Sequence, residues 1–328
     1  MTGCKKEDVS SVNAAKPAEA TSELKLSNVK LENGMLVFNT KADMDSAFKV
    51  VQKGQSTVSN WLYTQFPGFV SQIKAYNALT RQDSANILQA STIPTRYASF
   101  ARKDRKEGED FVAKVVETSI LANLVNKDGF ISYADKVLKL TYDKVYEINK
   151  DAYLKSPTQD FSKSISSEVK THPVTYNIHY TKEANTATPR WNVDYFTEYT
   201  LNDQSHGYRT DKRWSGILYD QNWWFGHFVE ATTRYEGKLG WFGSWVTDQA
   251  ASIGVNGYIT IQITQTNDDG SVIITYSGNI GFPNAFLRDK GIVSASLNPP
   301  TDADLVGWQI CHSCYDYEGV SHYRCLGR

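Results

Sequence analysis

The rhythm of apolar and polar positions divides this chain into stretches of different character. Residues 1–27 hold Ser, Ala, Lys, Glu and Asn with no aromatic residue and no apolar periodicity. Such a composition buries too little surface to offset the entropy of ordering it, so it reads as a leash. Val29 and Leu31, then Met35-Leu36-Val37-Phe38, flank Asn33-Gly34, a strong hairpin signal because both turn residues tolerate φ > 0. Thr40 with Asp43 three positions on marks the N-cap of a helix running through Lys53. A second helix fits Ser56 to Gln65 with Val58, Trp61 and Leu62 on one face, ended by Pro67-Gly68, and a third fits Phe69 to Leu79. The spacing of Val112, Val115, Val116, Ile120 and Leu124 predicts one helix from Glu109 to Leu124. Phe130 to Tyr133 and Lys136 to Ile148 alternate as strands do.

Residues 151–172 are rich in Ser, Lys, Asp and Thr and read as a linker. Beyond them the period is two. Val174–Tyr180, Asn192–Leu201, Tyr208–Tyr219, Trp223–Tyr235, Leu239–Thr247, Gly257–Thr266 and Ser271–Ser277 are short aromatic or β-branched runs separated by turn signals such as Asn267-Asp268-Asp269-Gly270. The expected fold class is α+β: a small α+β N-terminal module (28–150), then an antiparallel β-sandwich-like C-terminal domain (173–328).

Composition adds two points. Lys+Arg is 35 against Asp+Glu 36, so no basic field points to a nucleic-acid partner. No apolar run is long enough to span a bilayer as a helix. The aromatic residues are unevenly placed, with most of the 8 Trp and 19 Tyr after residue 170. Trp214, Trp223, Trp224, Trp241 and Trp245 recur through the expected strands, where they either fill a core or form a platform for sugar rings. In Trp223-Trp224 adjacent side chains point to opposite faces of a strand, so one is expected inside and one outside.

Cys311, Cys314 and Cys325 lie near the C-terminus. Outside the cell three thiols give one disulfide, from Cys325 to Cys311 or Cys314, and one free thiol. With His322 the same residues could instead bind zinc, although their spacing is not that of a standard zinc motif. His227-Phe228-Val229-Glu230 would face opposite sides of a strand, which does not support a shared metal. Asp194 and Glu198 would share a side but stand roughly 13 Å apart by the strand rise, too far for a glycosidase pair. There is no G-x-S-x-G, no phosphate loop and no H-E-x-x-H. No cofactor is expected, and catalytic residues are not identifiable.

The chain opens Met1-Thr2-Gly3-Cys4-Lys5-Lys6-Glu7-Asp8. A small residue, then Gly, then Cys resembles the end of a bacterial lipobox, where the signal peptide is removed and Cys4 becomes the lipidated first residue. The charged residues after Cys4 are similar to the export signal of Bacteroidota-type surface lipoproteins. Asn28 to Phe69, reading NVKLENGMLVFNTKADMDSAF and on to FPGF, and Ala122 to Ile148, with its Asn-Lys-Asp-Gly turn, resemble a group of such lipoproteins of unknown function. The resemblance implies an outer-membrane, surface-exposed location and a two-domain layout, and it carries no catalytic residue. The expected role is binding, adhesion or assembly at the cell surface, with a polysaccharide or a surface protein as partner. The rival reading is a glycan hydrolase whose residues converge only in three dimensions.

Overall fold

Asn33-Gly34 starts the fold as its sequence suggests, with φ of 50° and 72° at the two turn positions. The computed structural model describes residues 24–106, 109–155, 169–176, 194–199, 212–238, 245–267, 269–290, 292–317 and 320–327. The turn joins β1 (Val29–Glu32) to β2 (Met35–Phe38). Four helices follow, α1 (Lys41–Lys53), α2 (Val58–Gln65), α3 (Gln72–Asn77) and α4 (Arg81–Gln89), and then the hairpin β3 (Ala101–Lys106) and β4 (Glu109–Lys114). Helix α5 (Ser119–Leu124), β5 (Phe130–Tyr133), β6 (Lys136–Leu140), β7 (Lys144–Asn149), α6 (Lys150–Lys155) and β8 (Val169–Pro173) complete the N-terminal half.

One sheet here has the order β1-β2-β5-β6-β7-β8, with β2 and β5 parallel and its other pairs antiparallel. The parallel step is the crossover that carries α1 to α5 over one face. There Leu36 and Phe38 meet Phe48, Leu62, Ile120 and Leu124. Met35, Val37, Val137 and Ile148 pack on the other face with Tyr153 of α6. Because both faces are covered, all four residues of β2 are buried.

The regular elements among the described residues of the second half are antiparallel strands: β9 (Thr175–Tyr176), β10 (Asp194–Tyr199), β11 (Lys212–Trp223), β12 (Gly226–Lys238), β13 (Trp245–Thr247), β14 (Ala250–Thr266), β15 (Val272–Gly281), β16 (Ala285–Lys290), β17 (Ile292–Leu297), β18 (Ala303–Tyr315) and β19 (Ser321–Gly327). One sheet runs β10-β11-β12-β13, with β17 also on β12 and β9 on β11; another runs β15-β14-β18-β19, with β16 also on β14. Their inner faces share one core, in which Trp214, Leu218, Val229 and Tyr235 meet Ile253, Ile259, Leu305, Trp308 and Ile310. Gly257, at φ 135°, lets β14 approach β18 closely; a Cβ there would sit 2.1 Å from the Gln309 carbonyl oxygen.

Several local expectations need correction. Glu109–Leu124 is not one helix but strand β4 followed by the short α5. Residues from Phe111 to Leu124 are buried on every side, so their three-and-four spacing marks no single helical face. Helix α4 was not foreseen, although Thr80 and Asp83 form the same capping box as Thr40 and Asp43. Lys136–Ile148 is two strands with a turn between them. The expected linker carries α6 at its start and β8 near its end. The apolar core of the first half also takes in Trp223, Phe225 and Phe228 from the second.

Candidate functional site

Alternation along β12 decides where its polar residues go. Val229, Ala231 and Tyr235 face the inter-sheet core, so Glu230, Thr232, Arg234 and Glu236 face the other way, toward β4, α3 and α5. The seam between these elements is buried yet strongly polar. Lys114 Nζ lies 2.7 Å from Glu230 Oε1 and 3.2 Å from Ser119 Oγ. The Glu230 carboxylate also accepts from the Ser119 backbone N–H, the Ser296 hydroxyl and, at 3.3 Å, the Thr232 hydroxyl. Arg213 Nε donates to Glu236 at 2.8 Å. Arg234, 2% exposed, donates from Nη1 to the Val112 carbonyl at 3.2 Å and lies over the Phe111 ring. Its Nε and Nη2 meet no acceptor among the described residues. Burial opposes the charge on Arg234, but Tyr76, Tyr219, Glu236 and Glu117 together outweigh it and raise the pKa. Burial likewise pushes the Tyr76 hydroxyl up, and that hydroxyl donates to the Val112 carbonyl at 2.9 Å.

Above this seam lies a cleft of about 850 Å³, walled by α2, α3 and α4 on one side and by β13, β16 and β17 on the other. Its lining mixes apolar side chains (Val58, Trp245, Val246, Phe286, Ile292) with neutral hydrogen-bonding groups such as Ser59, Asn77, Ser84 and Asn123. Charged side chains line it too: Lys114 and Glu236 are buried on the seam side, while Lys74, Arg81 and Lys290 are exposed. Lys74 sits 4.4 Å above the Tyr63 ring, and Asp248 accepts from Lys212 and, at 3.5 Å, from Arg81. This is the usual composition of a small-molecule pocket: apolar contact area and a few polar groups that fix orientation.

The structure disperses the aromatic residues that the sequence singled out. Trp214 is buried in the inter-sheet core, its indole N–H 3.2 Å from Glu198. Trp223 is buried against the first sheet's helices, and Trp245 is buried at the cleft wall under the Arg213 guanidinium. Trp224 alone of these four is exposed, at 44%, and stacks on His172 with ring centres 4.2 Å apart. The parity expected of Trp223-Trp224 therefore holds, while Trp214, Trp223 and Trp245 are core residues rather than an open platform. Trp241 and Cys4 lie outside the described residues.

Cys311 and Cys325, directly opposite on β18 and β19, form the disulfide, and Cys314 is a buried free thiol pushed up to about 12 by burial. His322 pairs with Asp316 at 3.2 Å. With two of the four candidate donors joined to each other, Cys311, Cys314, His322 and Cys325 do not form a ligand set. Among the described residues no group of His, Cys, Asp and Glu is arranged to hold a metal. His227 and Glu230 do face opposite sides, His227 toward Asp220 at 2.5 Å and Glu230 toward Lys114.

From the sequence, Glu230 and Asp248 were possible site residues only through tertiary contact; the structure pairs them with Lys114 and with Lys212 and Arg81 rather than with each other, and Lys114, Arg234, Glu236 and Tyr76 were not foreseen. The signal available was the polar alternation of β12, but a polar strand face reads as solvent unless one knows that helices cover it.

No protein-family model and no curated protein matches the chain. Among solved structures, the chain is similar to a DUF4848 family protein from Bacteroides thetaiotaomicron. Identity is 13%, the match covers 92% of this chain and all of that one, and the TM-score is 0.26. At that score the likeness carries no argument about fold or activity.

Proposed function

We propose that this protein is a lipid-anchored, surface-exposed binding protein of the outer membrane that holds a glycan in the cleft without cleaving it. The observation that carries the reading is the make-up of the cleft. Apolar side chains suited to the C–H faces of sugar rings line it together with hydroxyl and amide groups suited to their hydroxyls. The lining carboxylates, Glu236 and Asp248, each sit against a cation.

The anchor is supported by Gly3-Cys4 and the charged Lys5-Lys6-Glu7-Asp8 that follow. In this reading the segment between Cys4 and Leu24 is the tether, shorter than the expected 1–27 because Leu26 is buried in the first core and paired through its backbone with Gln65; the helix-bearing N-terminal half is an α+β foot, and the β-rich half is carried above it. Palmitate labelling that disappears in Cys4→Ala is the expected result for the anchor, and persistent labelling refutes it. For the ligand, the full-length Cys4→Ala protein is applied to a glycan array and any hit is incubated in a reducing-sugar assay. Binding without release of reducing ends is expected. Release of reducing ends would favour a hydrolase, and binding to no glycan would favour a surface-protein partner.

A further inference from the structure

We propose that the ligand of this cleft is an acidic glycan whose carboxylate or sulfate groups lie against Lys74, Arg81 and Lys290; this rests on the glycan reading above. The reasoning is a local balance of charge. Glu230, Glu236 and Asp248 are the acids in or directly behind the cleft wall, and each has a cation beside it: Lys114, Arg213 and Lys212. Deeper in the seam, Arg102 binds both Asp104 and Glu117, and the charge of buried Arg234 compensates that second acid.

These pairings leave three lining cations in surplus. Lys74 projects from α3, Arg81 begins α4 and Lys290 ends β16, so they stand on both sides of the opening. All three are exposed. Lys74 and Lys290 have no carboxylate partner among the described residues, and Arg81 reaches Asp248 only at 3.5 Å, with Lys212 closer. The chain as a whole is near neutral, so this excess belongs to the site rather than to a general surface charge. Positive groups clustered around a cleft concentrate an anionic ligand there. Arg81 offers a planar fork matched to a carboxylate or a sulfate, and the lysines act as point charges.

The test uses full-length Cys4→Ser protein and calorimetric titration with three length-matched probes: oligogalacturonate, chondroitin sulfate oligosaccharides and neutral cello-oligosaccharides. The expected result is an acidic probe bound about tenfold or more tighter than the neutral one, with the preference shrinking at high salt. Lys74→Glu/Lys290→Glu, a change at two exposed positions, should abolish the preference and leave circular dichroism unchanged. Binding of oligogalacturonate shows that carboxylates suffice, whereas binding of the sulfated probe alone assigns the sulfate group. Equal affinity for neutral and acidic probes, or a preference that survives the double substitution, overturns the charge inference while the glycan reading stands. Failure of all three probes, with no hit on the array, overturns both.

Discussion

Truncating Glu230 tests the seam beneath the cleft. Glu230 and Lys114 are 1% and 3% exposed, and the carboxylate gathers the Lys114 ammonium, the Ser119 N–H and the hydroxyls of Ser119 and Ser296. In Glu230→Ala the ammonium stays buried without its counter-charge, which costs about 3–5 kcal/mol. The Ser119 N–H keeps Ser296 Oγ at 3.2 Å, so losing that acceptor adds at most about 1 kcal/mol. Unfolding in urea followed by Trp fluorescence is the assay. At a slope of roughly 3 kcal/mol per molar, the midpoint should fall by at least about 1 M with the slope unchanged. Lys114→Met/Glu230→Gln removes both charges and keeps an acceptor for Ser119, so it should recover at least about 2 kcal/mol relative to the sum of the two single changes. A Glu230→Ala midpoint within about 0.3 M of the parent, or strict additivity in the cycle, would show that the seam is not a desolvated ion pair.

Three further outcomes are expected. In Cys4→Ser protein an aromatic disulfide reagent should find no reactive thiol at neutral pH and one after denaturation, because Cys314 is buried with its thiol pushed up to about 12; a thiol that reacts in the native protein refutes this. Breaking the Cys311–Cys325 bridge with Cys325→Ser should cost about 3 kcal/mol for a loop of this length, read from the urea midpoint, and no loss would mean that β19 is held by pairing alone. The Asp83 carboxyl is held down at about 2 by the Tyr97 hydroxyl and then by Thr80. A lowered folded-state pKa means that its stabilisation is complete above the ordinary carboxylate range and lost as pH falls from about 4 to about 2. NMR titration of Asp83 should therefore give a midpoint near 2, and a midpoint near 4 would remove the Tyr97 contact.

Steric demand at Gly257 adds one more. Gly257→Ala puts a methyl 2.1 Å from the Gln309 oxygen at a backbone φ that L residues avoid, so it should cost more than about 2 kcal/mol in the same urea assay. An unchanged midpoint would mean that β14 and β18 pair in another register.

Local chemistry was legible in the sequence, and assembly was not. Asn33-Gly34 specified its hairpin, Thr40 and Asp43 their capping box, and the alternation of Tyr258–Thr264 its strand, because each depends on backbone preferences of adjacent residues. The parity of Trp223 and Trp224 followed from strand geometry alone. Glu109–Leu124 misled because burial on all sides erases the polar face by which a period is recognised. The cleft was out of reach for a related reason: Lys74, Lys114 and Glu230 stand far apart in the chain, and Glu230 looks like a solvent-facing strand residue until α5 and β4 close over it. Sequence determined the local devices, namely the Asn33-Gly34 turn, the caps of α1 and α4, and which way strand side chains alternate. Only the packing of the helices onto β12 decided that a polar strand face becomes a buried seam, since hydration of a charge depends on what lies above it in space.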